Sequence, residues 1–317
     1  MSLGSTAGLR AADDQLAASL ERAGASVALV RAQAPREVRT LALTDYLWAR
    51  AARVAALDGI RSVRPQTVVY STITAALLWP RRGAIRFDSL AADNRPGRHG
   101  LWQRPLERRR LAAASLLIPW SAASLGGRSG GPGVVLAVGV EPSGPLTPAG
   151  ERDVAAITYA ADASKKGLDR VLEAWRRARR DGEELIVAGL ESLPERDGVR
   201  SVGLLSRDEY RALLRRARLY VTAPRREDYG IAQLEALADG CVLVTTPAPG
   251  PYEALPLARA LDARCVTDDL AAAIRAALDD PRPDYAARAA SAMAAYATAR
   301  LDRIVAGELL PKLSERA

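Results

Sequence analysis

The chain has 317 residues, 49% hydrophobic and 26% charged, a length that predicts two domains and a composition that excludes disorder for most of it. No run of about 18 apolar residues is present, and "MSLGSTAGLR" lacks the apolar core of a signal peptide, so neither a transmembrane helix nor a secretory route is expected and the expected location is cytoplasmic. A net charge of +8 and a pI near 9.8 favour anionic partners, but the arginine clusters "RPLERRR", "RRARR" and "RRAR" lack the interleaved aromatics of a nucleic-acid surface.

In chain order, the opening "GSTAG" reads as a Gly-containing loop before a helix over Leu9–Ala23, where a preceding strand would be expected. Either that first strand is absent or the sheet is reduced. A strand "SVALVRA", a helix from about Asp45 to Leu57, and strands "TVVYST" and "AIRFD" follow. The polar loop "NRPGRHGLWQRP" leads to a helix over Leu106–Ala114 and a strand "SLLIPWS". Between Leu125 and Gly150, "GGRSGGPG" and "EPSGPLTPAG" flank the apolar "VVLAVGV", a linker composition enclosing a short strand. The second half alternates more regularly. Strands "DVAAITYA", "ELIVAG", "GVRSVG", "LYVTAP", "CVLVTT" and "ARCVT" are interspersed with helices over Leu168–Arg180, Asp208–Ala217, Gly230–Ala238 and Leu270–Leu278. An amphipathic run from Asp284 to Leu310 closes the chain. The alternation predicts an α/β protein with doubly wound parallel sheets. Boundaries are expected to give a first domain over 1–143, a second over 144–284 and a C-terminal helix over 285–317.

Ligands of such sheets bind beyond the carboxyl ends of the strands, and Lys166, Ser206 and Glu227 all fall just after one. In "REDYGIAQLEALADG", Glu227 precedes the helix and Glu235 lies about two turns into it, a helical span of roughly 12 Å. The helix start offers free backbone N–H groups to phosphate, and Gly230 permits close approach. That spacing suits a nucleotide sugar, with a ribose diol at one carboxylate and a hexose hydroxyl at the other. The plain alternative is a surface helix with a solvated acid before it. With one histidine, His99, a zinc site lacks ligands, and Cys241 and Cys265 read as core thiols.

Together with "KKGLDRVLEAW" upstream and "PGPYEAL" downstream, this stretch resembles the family 4 retaining glycosyltransferases of the two-Rossmann-domain (GT-B) type, the glycosyl transferases group 1. The donor-site signature of that family is E-x7-E followed by E-A-x-A-x-G and an apolar strand. Here it stands as Glu227, Glu235, Ala236, Ala238 and Gly240, then "CVLVTT"; Gly250 and Glu253 match the Gly-rich turn and glutamate after it. The likeness is strongest over about Asp153–Leu255, and Gly139, Val140 and Glu141 are similar to the family's interdomain G-V-D element. It implies two Rossmann-like domains facing across a cleft, a C-terminal helix crossing back to the first, and sugar transfer with retention and without a metal or other cofactor. By the resemblance, Glu235 would bind the ribose, and Glu227 the transferred sugar. Tyr229, Gly230 and Ile231 would offer N–H groups to the diphosphate, Lys166 would neutralise it, and Leu205 would lie against the base. Ala161 stands where the family usually carries an arginine, so Lys165, Arg225 or Arg226 is the substitute cation to look for.

The first domain would then shape the acceptor site, for a carbohydrate, a lipid-linked or a small-molecule acceptor. Candidates are Gly4 and Gly8 in the opening loop, Asp88 after a strand, and His99 with Arg95 and Trp102 in the polar loop. The arginines of the helix over Leu106–Ala114 read as a solvated face or as a peripheral contact with an anionic membrane. Two rival readings stay open: a catalytically degenerate GT-B binding protein, motivated by Ala161, and a glycoside hydrolase, which also uses paired carboxylates.

Overall fold

The computed structural model describes residues 1–95, 97–126 and 133–315, so most of the Gly-rich "GGRSGGPG" lies outside the described residues. The chain divides into two units, one formed by Met1–Gly139 with Thr298–Ala317 and one by Val140–Ala297. The divisions therefore fall after residues 139 and 297, against the 143 and 284 read from composition.

In the first unit, Thr6 caps α1 (Ala7–Arg22) by accepting from the Leu9 N–H, and α2 covers Leu41–Val63. They are followed by β1 (Val69–Tyr70), α3 (Ile73–Leu77), β2 (Ala84–Phe87), α4 (Ala91–Asn94), α5 (Gln103–Ala113) and β3 (Leu117–Pro119). The three strands form a parallel sheet in the order β1-β2-β3. Residues 1–3 run between two stretches of chain: Ser2 N donates to Val30 O, Ala32 N to Ser2 O, and Ser71 N to Met1 O. The expected strand "SVALVRA" accordingly shrinks to one bridge, Ser2 with Arg31, and "VVLAVGV" to hydrogen bonds of Val134 and Leu136 along β3. Each has a neighbour on one side for only two or three residues, too few to close a regular ladder.

The second unit holds β4 (Val154–Tyr159), α6 (Leu168–Ala178), β5 (Leu185–Ala188), β6 (Val199–Ser201), α7 (Arg207–Arg216), β7 (Ala217–Thr222), α8 (Ile231–Ala238), β8 (Val242–Thr245), α9 (Ala254–Leu261), α10 (Leu270–Asp279) and α11 (Tyr285–Met293). Its parallel sheet has the order β6-β5-β4-β7-β8, the doubly wound arrangement that reverses direction between β4 and β7. Every residue of β5 is buried, as expected of a strand covered on both faces. Trp175 of α6 and Ile274 of α10 pack with Leu185, Leu219 and Val244 into one core. "ARCVT" is a short 3-10 turn with a single bridge, Thr245 to Val266, because Asp262 caps it and bends the chain. Helix α9 was hidden by the proline-rich "PAPGPYEALP" around its start, and α3 by its brevity.

The closing amphipathic run is not one helix. After α11 and a 3-10 turn over Ala294–Tyr296, the chain resumes as α12 (Thr298–Ile304), a π turn over Val305–Leu309 and α13 (Leu310–Ser314). Leu301, Val305, Leu309 and Leu313 pack with Leu16 and Leu20 of α1 and with Ile118 of β3. A strict four-residue spacing drifts round a 3.6-residue helix, and the wider π turn brings the stripe back to one face. No helix among the described residues is long and apolar enough to cross a membrane.

Candidate donor-binding site

Three loops meet at the carboxyl ends of β4, β7 and β8, where the sheet reverses. The Arg225 N–H donates to the Lys165 carbonyl at 3.0 Å, and the Glu227 N–H donates to the Pro249 carbonyl at 3.1 Å. Two glycines make that meeting possible. A side chain at Gly167 (φ 64°) would place its Cβ 1.9 Å from the Ala223 carbonyl oxygen. One at Gly250 (φ 115°) would lie 2.1 Å from the Glu227 carbonyl oxygen. Only glycine takes such backbone angles at no steric cost and leaves room for so close an approach.

The loops deliver Lys166 to Glu227. Nζ lies 2.6 Å from Oε2, with the carboxylate side chain 5% exposed and the lysine 20% exposed. Gln233, on the first turn of α8 and fully buried, donates from Nε2 to the same oxygen at 2.8 Å. Behind them α8 begins at Gly230 (φ 92°), which lets the Tyr252 ring pack against the turn, and the first N–H groups of the helix have no intrahelical partner. Tyr229 is buried, and its carbonyl accepts from the Glu253 N–H.

The neighbouring cations are engaged elsewhere. Lys165 lies 2.6 Å and Arg226 3.0 Å from Asp228, and Arg225 lies 2.6 Å from Asp169. Burial pushes the Asp228 carboxyl up, but the Lys165 ammonium and the Arg226 guanidinium outweigh it and hold the group below the usual range. Ala161 is exposed on the turn that follows β4.

Glu235, on the second turn of α8, is 8% exposed; its Oε1 lies 3.1 Å from Arg207 and 3.5 Å from Arg211. Arg211 is shared with the buried Asp239, at 2.6 Å, and Asp239 also accepts from the Ser143 N–H and hydroxyl. Leu205 sits half-buried in the loop before α7, whose start is fixed by a capping box between Ser206 and Glu209.

Residues 147–298 match the family model described as glycosyl transferases group 1. That match covers nearly the whole of the second unit. The chain as a whole is similar in structure to sucrose-phosphate synthase from Thermosynechococcus elongatus, with a TM-score of 0.73 at 15% identity over 96% of this chain and 92% of that one. It is similar also to WaaG, a glycosyltransferase involved in lipopolysaccharide biosynthesis, with 0.65 at 16% identity over 95% and 96%. A trehalose-phosphate synthase from Burkholderia xenovorans gives 0.59 at 15% over 96% and 85%. The fold is GT-B, with two Rossmann-like domains. No curated protein matches the chain by sequence.

In the second unit the sequence reading passes over Gln233, Arg207, Arg211 and Asp239. The signal for Gln233 was present: it is a lone amide in an otherwise apolar stretch, "IAQLEALA", apart from Glu235 itself. The first-unit candidates are placed differently. Gly4 (φ 60°) accepts at its carbonyl from Arg10, and Gly8 lies in the first turn of α1. Asp88 follows β2 and is half-buried, whereas His99 is exposed on a 3-10 turn over Gly97–Gly100. Arg95 makes a two-pronged contact with Asp45, at 2.7 and 3.1 Å, and Trp102 donates to the Ala42 carbonyl while its ring meets Tyr46 edge-on. Both therefore fasten the polar loop to α2. In α5, Arg104 donates to the Gly97 and Gly100 carbonyls and Arg110 to Leu77, leaving Arg108 and Arg109 exposed.

Proposed function

We propose that the chain is a glycosyltransferase that moves a sugar from a nucleotide-diphospho-sugar to an acceptor hydroxyl. The observation that carries the reading is the ion pair of half-buried Lys166 with buried Glu227 beside the start of α8, at the carboxyl ends of β4 and β7. The diphosphate would take the helix N–H groups and the Lys166 ammonium, which meets the charge that grows as the nucleoside diphosphate leaves. Glu227 would hold a hydroxyl of the transferred sugar, and Glu235 the ribose diol. On this reading the charge is met by protein groups, so the reaction runs without a metal. Transfer would proceed with retention on the donor's own face, the leaving phosphate receiving the acceptor proton. Asp88 and His99 are the first-unit groups to test for an acceptor role, and exposed Arg108 and Arg109 for contact with an anionic membrane surface.

One observation favours a second reading, a GT-B domain that binds a nucleotide without turning it over. Ala161 supplies no cation, and Lys165, Arg225 and Arg226 are all paired with carboxylates. Incubation with UDP-, GDP-, ADP- and dTDP-sugars and a panel of sugar and lipid acceptors, read by mass spectrometry, separates the two. A glycosylated product with release of nucleoside diphosphate supports transfer. Nucleotide binding with no product from any pairing supports the second reading, and free sugar released from an unactivated glycoside would point to hydrolysis.

A further inference from the structure

Glu227 is held by one oxygen only. Lys166 and the Gln233 amide both donate to Oε2, at 2.6 and 2.8 Å, and Oε1 has no hydrogen-bond partner among the described residues. The orientation of Gln233 follows from its partner. A carboxylate accepts and does not donate, so the amide must turn its NH2 group toward Glu227. That choice leaves the Gln233 carbonyl oxygen buried and without a hydrogen bond, which buried polar groups seldom are. Gln233 is fully buried, so solvent does not set its position, and its place on the first turn of α8 ties the carboxylate to the same helix start that faces the ligand.

We propose that Gln233 is a positioning residue for sugar recognition: it locks Oε2 of Glu227 in register with Lys166 so that Oε1 alone is presented to the sugar. The inference rests on the proposed function of this site and concerns the sugar half of the donor, not the nucleotide half. The charged and titratable groups around Glu227 are Lys166 on the loop after β4, Tyr220 on β7, Tyr252 before α9, and the Asp228 cluster with Lys165 and Arg226. None of them occupies the place of the Gln233 amide.

The test compares UDP, GDP, ADP and dTDP with UDP-glucose, GDP-mannose, ADP-glucose and dTDP-glucose by calorimetry on the full chain. For the base that binds, Gln233→Met should reduce the affinity gained from the sugar by about tenfold, the scale of one hydrogen bond to a charged group. The bare diphosphate should bind within about twofold of wild type, since the helix start and Lys166 remain. Gln233→Glu keeps the shape of the amide and carries the test if the methionine variant does not fold. It should lose the sugar contribution at pH 8 and regain it near pH 5, where a proton shared between two carboxyls restores the donor. An unchanged sugar contribution in a folded Gln233→Met overturns the positioning role, as does a parallel loss for diphosphate and sugar nucleotide. Failure of wild type to bind any of the eight ligands removes the function on which the role rests.

Discussion

Lys166 Nζ lies 2.6 Å from Glu227 Oε2, although 61 positions of chain separate them. The contact exists because β4 and β7 are neighbours in the sheet, the loops that follow them meet at Gly167, and Gly250 of the loop after β8 packs against Glu227. Lys166→Ala should lower sugar transfer by about a hundredfold or more, as loss of one group that stabilises a leaving charge typically does. Initial-rate measurements at saturating donor check it. Stability should also fall, by about 3 kcal/mol, because a nearly buried carboxylate is left without its cation. A parallel Glu227→Gln, which keeps the shape and removes the charge, should fold well and transfer poorly.

Gly167→Ala should be more damaging than an ordinary surface substitution. The position has φ 64° and no room for a Cβ beside the Ala223 carbonyl. A left-handed residue alone costs about 1–3 kcal/mol, and the clash adds to it. A lowered Tm together with weakened diphosphate binding is the expected outcome, since the turn that carries Lys166 must move. Gly150→Ala, a change in open space, serves as the control and should shift Tm little.

The Asp228 cluster makes stability depend on pH at the acid end. Burial alone would raise the carboxyl, but Lys165 and Arg226 leave it depressed below the ordinary aspartate range in the folded chain. A depressed acid binds fewer protons folded than unfolded, so its contribution is complete above the unfolded value and is lost as pH falls through the folded one. Asp228→Asn should therefore narrow the difference between the unfolding midpoints at pH 6 and pH 3. Urea titrations at the two pH values measure it, and an unchanged difference would show that the pair adds nothing.

Ala161→Arg should raise turnover. Ala161 is exposed on the turn after β4 and supplies no cation at this position. A guanidinium there would add a cation to the loop that carries Lys166, and its charge is not already claimed as are those of Lys165, Arg225 and Arg226. The gain is expected in kcat more than in KM, because the leaving charge is fullest in the transition state.

The second unit was largely legible in the sequence because its strands are apolar on both faces and its loops carry the motif in fixed order. Each of β4, β5, β7 and β8 lies inside a predicted strand, give or take two residues. The first unit was less so. Its outer segments, residues 30–32 and 134–136, join the sheet through a few hydrogen bonds only, and alternation of residue types does not report how many neighbours a strand will find. The polar loop illustrates a second limit. Arg95 and Trp102 looked like ligand-facing groups, yet their partners, Asp45 and Ala42, lie 50 and 60 residues upstream and were invisible to local reading. Gln233 fails for the converse reason: its residue type was visible, but its role depends on where the loop after β7 places Glu227.

Nucleotide binding at the start of α8 is the central claim, and calorimetry with UDP, GDP, ADP and dTDP on wild type and Glu235→Ala tests it most directly. At least one diphosphate should bind wild type, and the variant should bind it at least about tenfold more weakly, as expected when a charge-assisted contact to the ribose is removed. Binding of none of the four, or equal affinity in the two proteins, would contradict the assignment.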